Sequence, residues 1–334
     1  MKILIIRLSS LGDVILSTFM VRMLHNIYPN AKIDFLVAKE FSIVFKYNPR
    51  INKILEYDKS LPFYSHLLNT FSINNPSHYD VIIDLQNNIR SWVYSWGKSS
   101  TVFRFNKRRF YKLKLVYLKS RPKEFLPIPI LYRDTFPSLQ QIDDKLGLEL
   151  WTSKDEGSYK PHSKTLDKID LKRIAIAPGA KHFTKIYPPE KYVELIKFFQ
   201  SNFNSEIYLL GGETDRKICW QISEKCSNVS NLCGELDVIQ TAEFLDDINL
   251  VISNDSAVVH IASARKVPVV VIYGSTVPAF GFIPFRTKSL IIENNSVNCR
   301  PCTHYGRSNC PKKHFNCMNE LKPEEIFNKI SNFA

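Results

Sequence analysis

Asp13 stands where an apolar run, Lys2-Ile-Leu-Ile-Ile-Arg-Leu8, gives way to a helical pattern at Val14-Ile15-Leu16. The run reads as a buried parallel strand, and Ser9-Ser10-Leu11-Gly12 reads as a tight strand-to-helix turn. At this position a nucleotide-binding domain normally places glycines or a lysine that hold phosphate on the helix N-terminus. This turn has neither Gly-x-Gly-x-x-Gly nor Gly-Lys-Ser/Thr. A carboxylate there is stabilised by the helix dipole and repels phosphate. Asp13 is therefore either a helix cap or part of a crevice that does chemistry rather than binding phosphate.

Phosphate-binding chemistry is found in the second half of the chain. A strand over 173–177 ends in Pro178-Gly179-Ala180, and Lys185 follows shortly after. A lysine just past a strand end is a natural phosphate counter-ion, although taken alone it reads more readily as a surface lysine. The strand ending Leu209-Leu210 continues into Gly211-Gly212, which permit close ligand approach, and then Glu213-Thr214-Asp215, where an acid could hold a ribose. Asn254-Asp255-Ser256-Ala257 forms a third turn, with small residues that let backbone N–H groups approach an oxyanion. Asp255 could accept from a sugar hydroxyl or simply cap the helix.

Cysteines supply one more constellation. Cys219, Cys226 and Cys233 are scattered and read as reduced core residues. Cys299-x2-Cys302-x7-Cys310-x6-Cys317 are clustered, with His304 and His314 nearby. Such a cluster fits either a structural zinc site or thiols that stay reduced or form disulfides.

The elements that must position these residues alternate along the chain. Strands are expected near 2–8, 32–37, 52–57, 80–85 and 101–105, with helices near 13–27, 39–46, 63–71 and 88–97. A longer helix is expected over about 131–147, ending at Gly147. Residues 149–171 are polar and aperiodic. A second series follows, with strands near 173–177, 206–210, 229–233, 249–253 and 267–273. The helices of this series are expected near 189–203, 213–227, 238–246 and 256–265, and a last one near 323–332. Two β/α series around a linker predict two doubly wound domains, 1–150 and 172–334, joined by 151–171. Ligands then belong at the C-terminal ends of strands and in the cleft between the domains.

At 334 residues and 44% hydrophobic content, a packed core is expected and disorder is excluded. No run of 18 apolar residues occurs, which excludes a hydrophobic spanning helix. Asp13 and Arg22 interrupt the apolar stretch 10–24 and no basic leader precedes it, so it does not read as a signal peptide. A cytoplasmic protein is expected, peripheral on the inner membrane at most. The net charge of +13 favours an anionic partner. Residues 103–123 hold nine Lys/Arg and no acid, interleaved with Phe105, Phe110, Tyr111 and Tyr117. This segment is a solvated basic loop, or a surface for an anionic acceptor or lipid headgroups. No nucleic-acid motif accompanies it, so nucleic acid is not the expected partner.

Taken together, the motifs resemble glycosyltransferase family 9, the heptosyltransferases of lipopolysaccharide core assembly. The matching stretches are Ser9-Ser10-Leu11-Gly12-Asp13-Val14, Asp84-Leu85-Gln86-Asn87-Asn88-Ile89-Arg90-Ser91, and Pro178-Gly179-Ala180 with Thr184-Lys185-Ile186-Tyr187-Pro188. Leu210-Gly211-Gly212 and Asn254-Asp255-Ser256-Ala257-Val258-Val259-His260 complete the set. Tyr187 and Ala257 depart from the Trp and Gly that the family usually has there. The resemblance implies α/β GT-B architecture, two facing Rossmann-like domains with the nucleotide sugar on the second and the acceptor on the first. It places Asp13 as general base and Lys185 on the donor phosphate. Thr184, Gly212, Glu213, Asp255, Ser256, Ala257 and His260 fall on the donor side. Ser9, Ser10, Gln86, Arg90, Arg108 and Arg109 are the candidate acceptor contacts. It also implies inversion, no metal, and no cofactor beyond an ADP-sugar donor, ADP-heptose, with a lipid-linked Kdo–lipid A type saccharide as acceptor. The chain lacks Asp-x-Asp, which agrees with metal independence. A monomer is expected. The competing readings are a transferase of the same fold using another nucleotide sugar, and a non-catalytic nucleotide-binding module.

Overall fold

A computed structural model describes residues 1–61, 78–120, 122–155, 157–161 and 169–334. The helix expected near 63–71, Arg121 and part of the expected linker lie outside the described residues. The chain divides into two compact units, residues 1–108 with 128–159, and residues 109–127 with 160–334.

The first unit is a five-stranded parallel sheet in the order β3-β2-β1-β4-β5, with β1 Lys2–Ile6, β2 Lys32–Ala38, β3 Lys53–Tyr57, β4 Val81–Asp84 and β5 Val102–Arg104. Helix α1, Leu11–Ile27, is buried on every side from Val14 to Leu24, which explains its near-continuous apolar sequence. A short helix, α2, spans Ile89–Ser95 and is capped by Asn88, whose side chain accepts from the Ser91 N–H at 3.1 Å. Between β1 and β4 the sheet order reverses, so the loops leaving these two strands form the switch-point crevice.

Helix α3, Arg109–Tyr117, belongs to the second unit. The basic segment is thus partly helical, and the expected 1–150 domain is interrupted. The cause is apolar packing. Leu115 is buried with Val277, Ala279 and Phe280, and the Tyr111 hydroxyl donates to the Ala279 carbonyl at 3.2 Å. Back in the first unit, α4 covers only Ile128–Arg133, followed by a 3-10 turn at Pro137–Leu139. The long helix expected over 131–147 does not form. Pro137 disfavours helix at the residue before it and removes an N–H. Beyond it, Arg22 of α1 draws the chain back, with Nε 2.7 Å from Asp144 and Nη1 3.2 Å from Glu149.

The second unit repeats the topology with one more strand: β11-β10-β9-β6-β7-β8, all parallel. Its strands are β6 Arg173–Ala177, β7 Glu206–Leu209, β8 Val229–Asn231, β9 Leu250–Asn254, β10 Val269–Tyr273 and β11 Ser289–Glu293. β11 was not expected. Helices α5 Pro189–Phe203, α6 Arg216–Ser223, α7 Val238–Leu245, α8 Ala257–Ala264, α9 Asn316–Asn319 and α10 Pro323–Phe333 complete it. The switch point lies between β6 and β9, the two strands whose loops carry Lys185 and Asp255.

Candidate functional site

In the first unit the switch point is built around Asp13. Oδ1 meets Arg7 Nη2 at 2.6 Å and accepts from the Tyr132 hydroxyl at 3.0 Å. Oδ2 accepts from the Ser10 N–H at 3.1 Å and the Ser10 hydroxyl at 2.9 Å. Asp13 is thus the acid of a capping box at the start of α1, and its side chain stays 14% exposed. Burial pushes its carboxyl up, but the Arg7 charge and the Ser10 hydrogen bonds outweigh that and hold it below the ordinary value. Burial also pushes the Tyr132 hydroxyl well up, so it remains a donor.

Arg7 is fixed from its other side by donating to the Leu85 carbonyl at 2.7 Å. Gln86 accepts from the Leu8 and Ser9 N–H groups at 3.0 and 3.3 Å, tying the loop after β4 to the loop after β1. Asp84 shapes that second loop by accepting from the N–H groups of Gln86 and Asn87 and from the Ser91 hydroxyl. Ser9, Ser10 and Gln86 therefore gather around Asp13. Arg90 is exposed on α2, and Arg108 and Arg109 fall in different units.

In the second unit, Lys185 Nζ lies 2.8 Å from Asp255 Oδ2, and the Thr276 hydroxyl donates to the same oxygen at 2.8 Å. The lysine and the carboxylate, noted separately in the sequence, are one ion pair just before α8. Ser256 makes no side-chain cap; its hydroxyl is 3.0 Å from that of Ser253. Ala257 begins α8 and His260 is buried within it. Asn254 closes the switch point. Its Nδ2 donates to the Pro178 carbonyl at 2.6 Å, and its Oδ1 accepts from the Tyr187 N–H and the Tyr192 hydroxyl.

Two expected donor contacts are otherwise engaged. The Thr184 hydroxyl is buried, accepts from Ser275 Oγ and the Arg307 N–H at 2.8 Å each, and donates to the Arg307 carbonyl at 3.2 Å. Its hydrogen-bonding capacity is used in holding loops together. Glu213 is 76% exposed and paired with Arg216 at 2.7 Å, one turn along. The acid that faces inward is Asp215. Its carboxylate accepts from the Gly212 N–H at 3.0 Å and lies where a Cβ on Gly179 would come within 2.2 Å. Burial pushes its carboxyl up, against the Gly212 hydrogen bond.

Arg300 was missed in the sequence. Its fully buried guanidinium donates to the carbonyls of Gly274, Tyr273 and Thr276 and pairs with Glu293 at 2.9 Å. It thereby fixes the loop that brings Thr276 to Asp255. A buried arginine carrying several carbonyl partners is costly to disturb. The only signal in the sequence is its place inside the Cys299–Cys302 pair.

Residues 75–313 match the family described as "Glycosyltransferase family 9 (heptosyltransferase)". The chain belongs to glycosyltransferase family 9. A lipopolysaccharide heptosyltransferase 1 of Campylobacter coli is 27% identical, over 99% of this chain and 98% of that one. The solved ADP-heptose lipopolysaccharide heptosyltransferase II of E. coli superposes with a TM-score of 0.71 at 19% identity, covering 100% and 98% of the two chains. E. coli heptosyltransferase WaaC, solved with ADP, gives 0.67 at 16% identity, covering 100% of both. These likenesses show the fold: this family 9 glycosyltransferase has GT-B architecture, with two Rossmann-like parallel α/β domains.

No disulfide joins the four clustered cysteines of this family 9 enzyme, and Cys317 is buried in the core of the second unit. Cys299 Sγ is 3.9 Å from His314 Nε2 and Cys302 Sγ is 3.7 Å from the Cys299 carbonyl. Among the described residues, no group of three or more His, Cys, Asp or Glu is arranged to hold a metal ion. No helix among them is long and apolar enough to cross a membrane.

Proposed function

We propose that the protein transfers heptose from ADP-heptose to a lipopolysaccharide inner-core acceptor of the Kdo–lipid A type, inverting the anomeric centre without a metal. The Lys185–Asp255 pair at the switch point of the second unit carries this reading. It presents an ammonium beside a helix N-terminus, the combination that suits a diphosphate. The solved relatives support that donor, one being an ADP-heptose heptosyltransferase and the other a heptosyltransferase solved with ADP.

In this scheme the donor diphosphate competes with Asp255 for the Lys185 ammonium, while Thr276 keeps Asp255 in place. Lys185 then neutralises the charge that builds on the departing ADP. Asp13 receives the proton of the acceptor hydroxyl. All four of its acceptor positions are filled, so the incoming hydroxyl must displace one donor. The Ser10 hydroxyl, on one rotatable bond, is the donor able to turn away. A carboxylate held at low pKa is a weak base and takes the proton late, as the attacking oxygen bonds carbon and its proton becomes acidic.

The test is ADP release from ADP-heptose in the presence of Kdo–lipid A, with a UDP-sugar as control. Turnover with ADP-heptose that is lost in Asp13→Asn is the expected result. Turnover only with the UDP-sugar, or an Asp13→Asn variant as fast as wild type, would overturn the donor or the base respectively.

A further inference from the structure

Two short helices carry large apolar side chains on their exposed faces. Ile89, Trp92 and Trp96 follow one another at i, i+3 and i+7 along α2 and its last turn, and they are 68%, 51% and 72% exposed. On α3, Phe110, Leu113 and Tyr117 repeat the same spacing at 89%, 49% and 74%, followed by Leu118 at 71%. The other side of α3 is already packed, with Leu115 buried on Val277, Ala279 and Phe280. The exposed stripe on α3 is therefore a second apolar face. Beside α2, Trp92, Trp96, Ile89, Val93, Val102 and Arg104 line an open cavity of about 370 Å³. The Arg104 guanidinium lies over the Trp92 ring at 5.5 Å. Clusters of exposed apolar side chains of this size mark interaction surfaces.

Charge selects the partner. The segment 103–123 that runs through α3 holds nine basic residues and no acid, and Arg104, Arg109, Lys114 and Lys123 are exposed. An isologous contact between two copies would set this basic segment against itself, at a repulsive cost. An anionic bilayer meets both requirements. Trp and Tyr rings settle at the headgroup level, and Lys and Arg are drawn to the negative surface. We propose that α2 and α3 are interfacial anchors. Their aromatic faces enter the headgroup region of an anionic membrane, and the flanking basic side chains meet lipid phosphates. The anchors depend on neither the donor nor the acceptor named above.

Vesicle binding tests this without any turnover. The whole chain is sedimented with phosphatidylcholine vesicles containing about one third phosphatidylglycerol, and with pure phosphatidylcholine vesicles. The expected result is roughly tenfold stronger binding to the anionic vesicles, weakened by salt, with a blue shift of tryptophan emission. Phe110→Ser with Tyr117→Ser, and separately Trp96→Ser, should each lower that binding by about tenfold, and Trp96→Ser should remove much of the blue shift. Phe110→Ser alone changes a side chain outside the core, so an unaltered melting curve is expected for it. Three results would each overturn the proposal: no binding to anionic vesicles, equal binding to both vesicle types, or variants that bind as wild type does. Light scattering that shows the same substitutions splitting a wild-type oligomer would overturn it too, by assigning the faces to a second copy.

Discussion

The two switch points have the same strand order and opposite electrostatic designs. In the first unit an aspartate is clamped by an arginine that is itself pinned to the Leu85 carbonyl. In the second an aspartate is paired with a lysine whose long stem can swing to another anion. Arginine offers a planar fork that fixes a carboxylate's position, whereas lysine offers a mobile point charge. One sheet order thus supports a tightly clamped carboxylate in one unit and, in the proposed scheme, a cation that can pass to a diphosphate in the other. The difference lies in which cation accompanies the carboxylate.

The strongest way to break this comparison is to remove the proposed base. Asp13→Asn should lower kcat by about 10²- to 10⁴-fold, with the thermal shift induced by ADP unchanged. Loss of ADP binding as well would mean that the residue serves the donor instead. Lys185→Met comes next, with a loss of about 10²- to 10³-fold in kcat. Lys185→Arg should restore part of it, and a change confined to KM would reduce the lysine to a binding group. Arg7→Met sharpens the contrast through pH. The folded pKa of Asp13 lies below its ordinary 3.8, so its stabilising contribution is present above that value and lost as pH falls through the folded one. Without Arg7 the effect of burial is less opposed, and the acid limb of kcat/KM should move up by about one pH unit or more. A limb that stays in place would show that Arg7 does not tune the base. Ser10→Ala should have the smallest effect, about two- to fivefold in kcat, since it removes only the donor that the acceptor displaces. A collapse as deep as that of Asp13→Asn would make Ser10 part of the proton path.

Much of the fold could be read from the sequence because parallel strands buried on both faces leave continuous apolar runs. Val269–Tyr273 and Lys2–Ile6 are of this kind. The helix expected over 131–147 failed because periodicity carried more weight than Pro137, and because nothing local shows that Arg22 will claim Asp144 and Glu149. The basic segment reads as a loop when Leu115 has no visible partner. That partner, Val277–Phe280, lies far along the chain. At the site, Asp13, Lys185 and Asp255 each stood out at a strand end. Their pairings did not, since Tyr132 reaches Asp13 across 119 positions and no spacing rule connects them. Glu213 drew attention over Asp215 because it comes first after the glycines, but its bond to Arg216 turns it outward.

The Thr184 hub bears on how the protein is made. A chain leaving the ribosome completes the Asp13 clamp as soon as Tyr132 emerges. The loop beside Lys185 must wait for Ser275 and then Arg307, and the Thr276 loop waits for Arg300. Helix α3 waits as well, because its packing partners at 277–280 are made long after it. Domains form in order of synthesis, and segments without their partners stay exposed meanwhile. The first unit can therefore be complete while α3, which belongs to the second, has yet to find its support. A nascent chain stopped before Arg307 would carry a finished Asp13 clamp and an unfinished Thr184 hub.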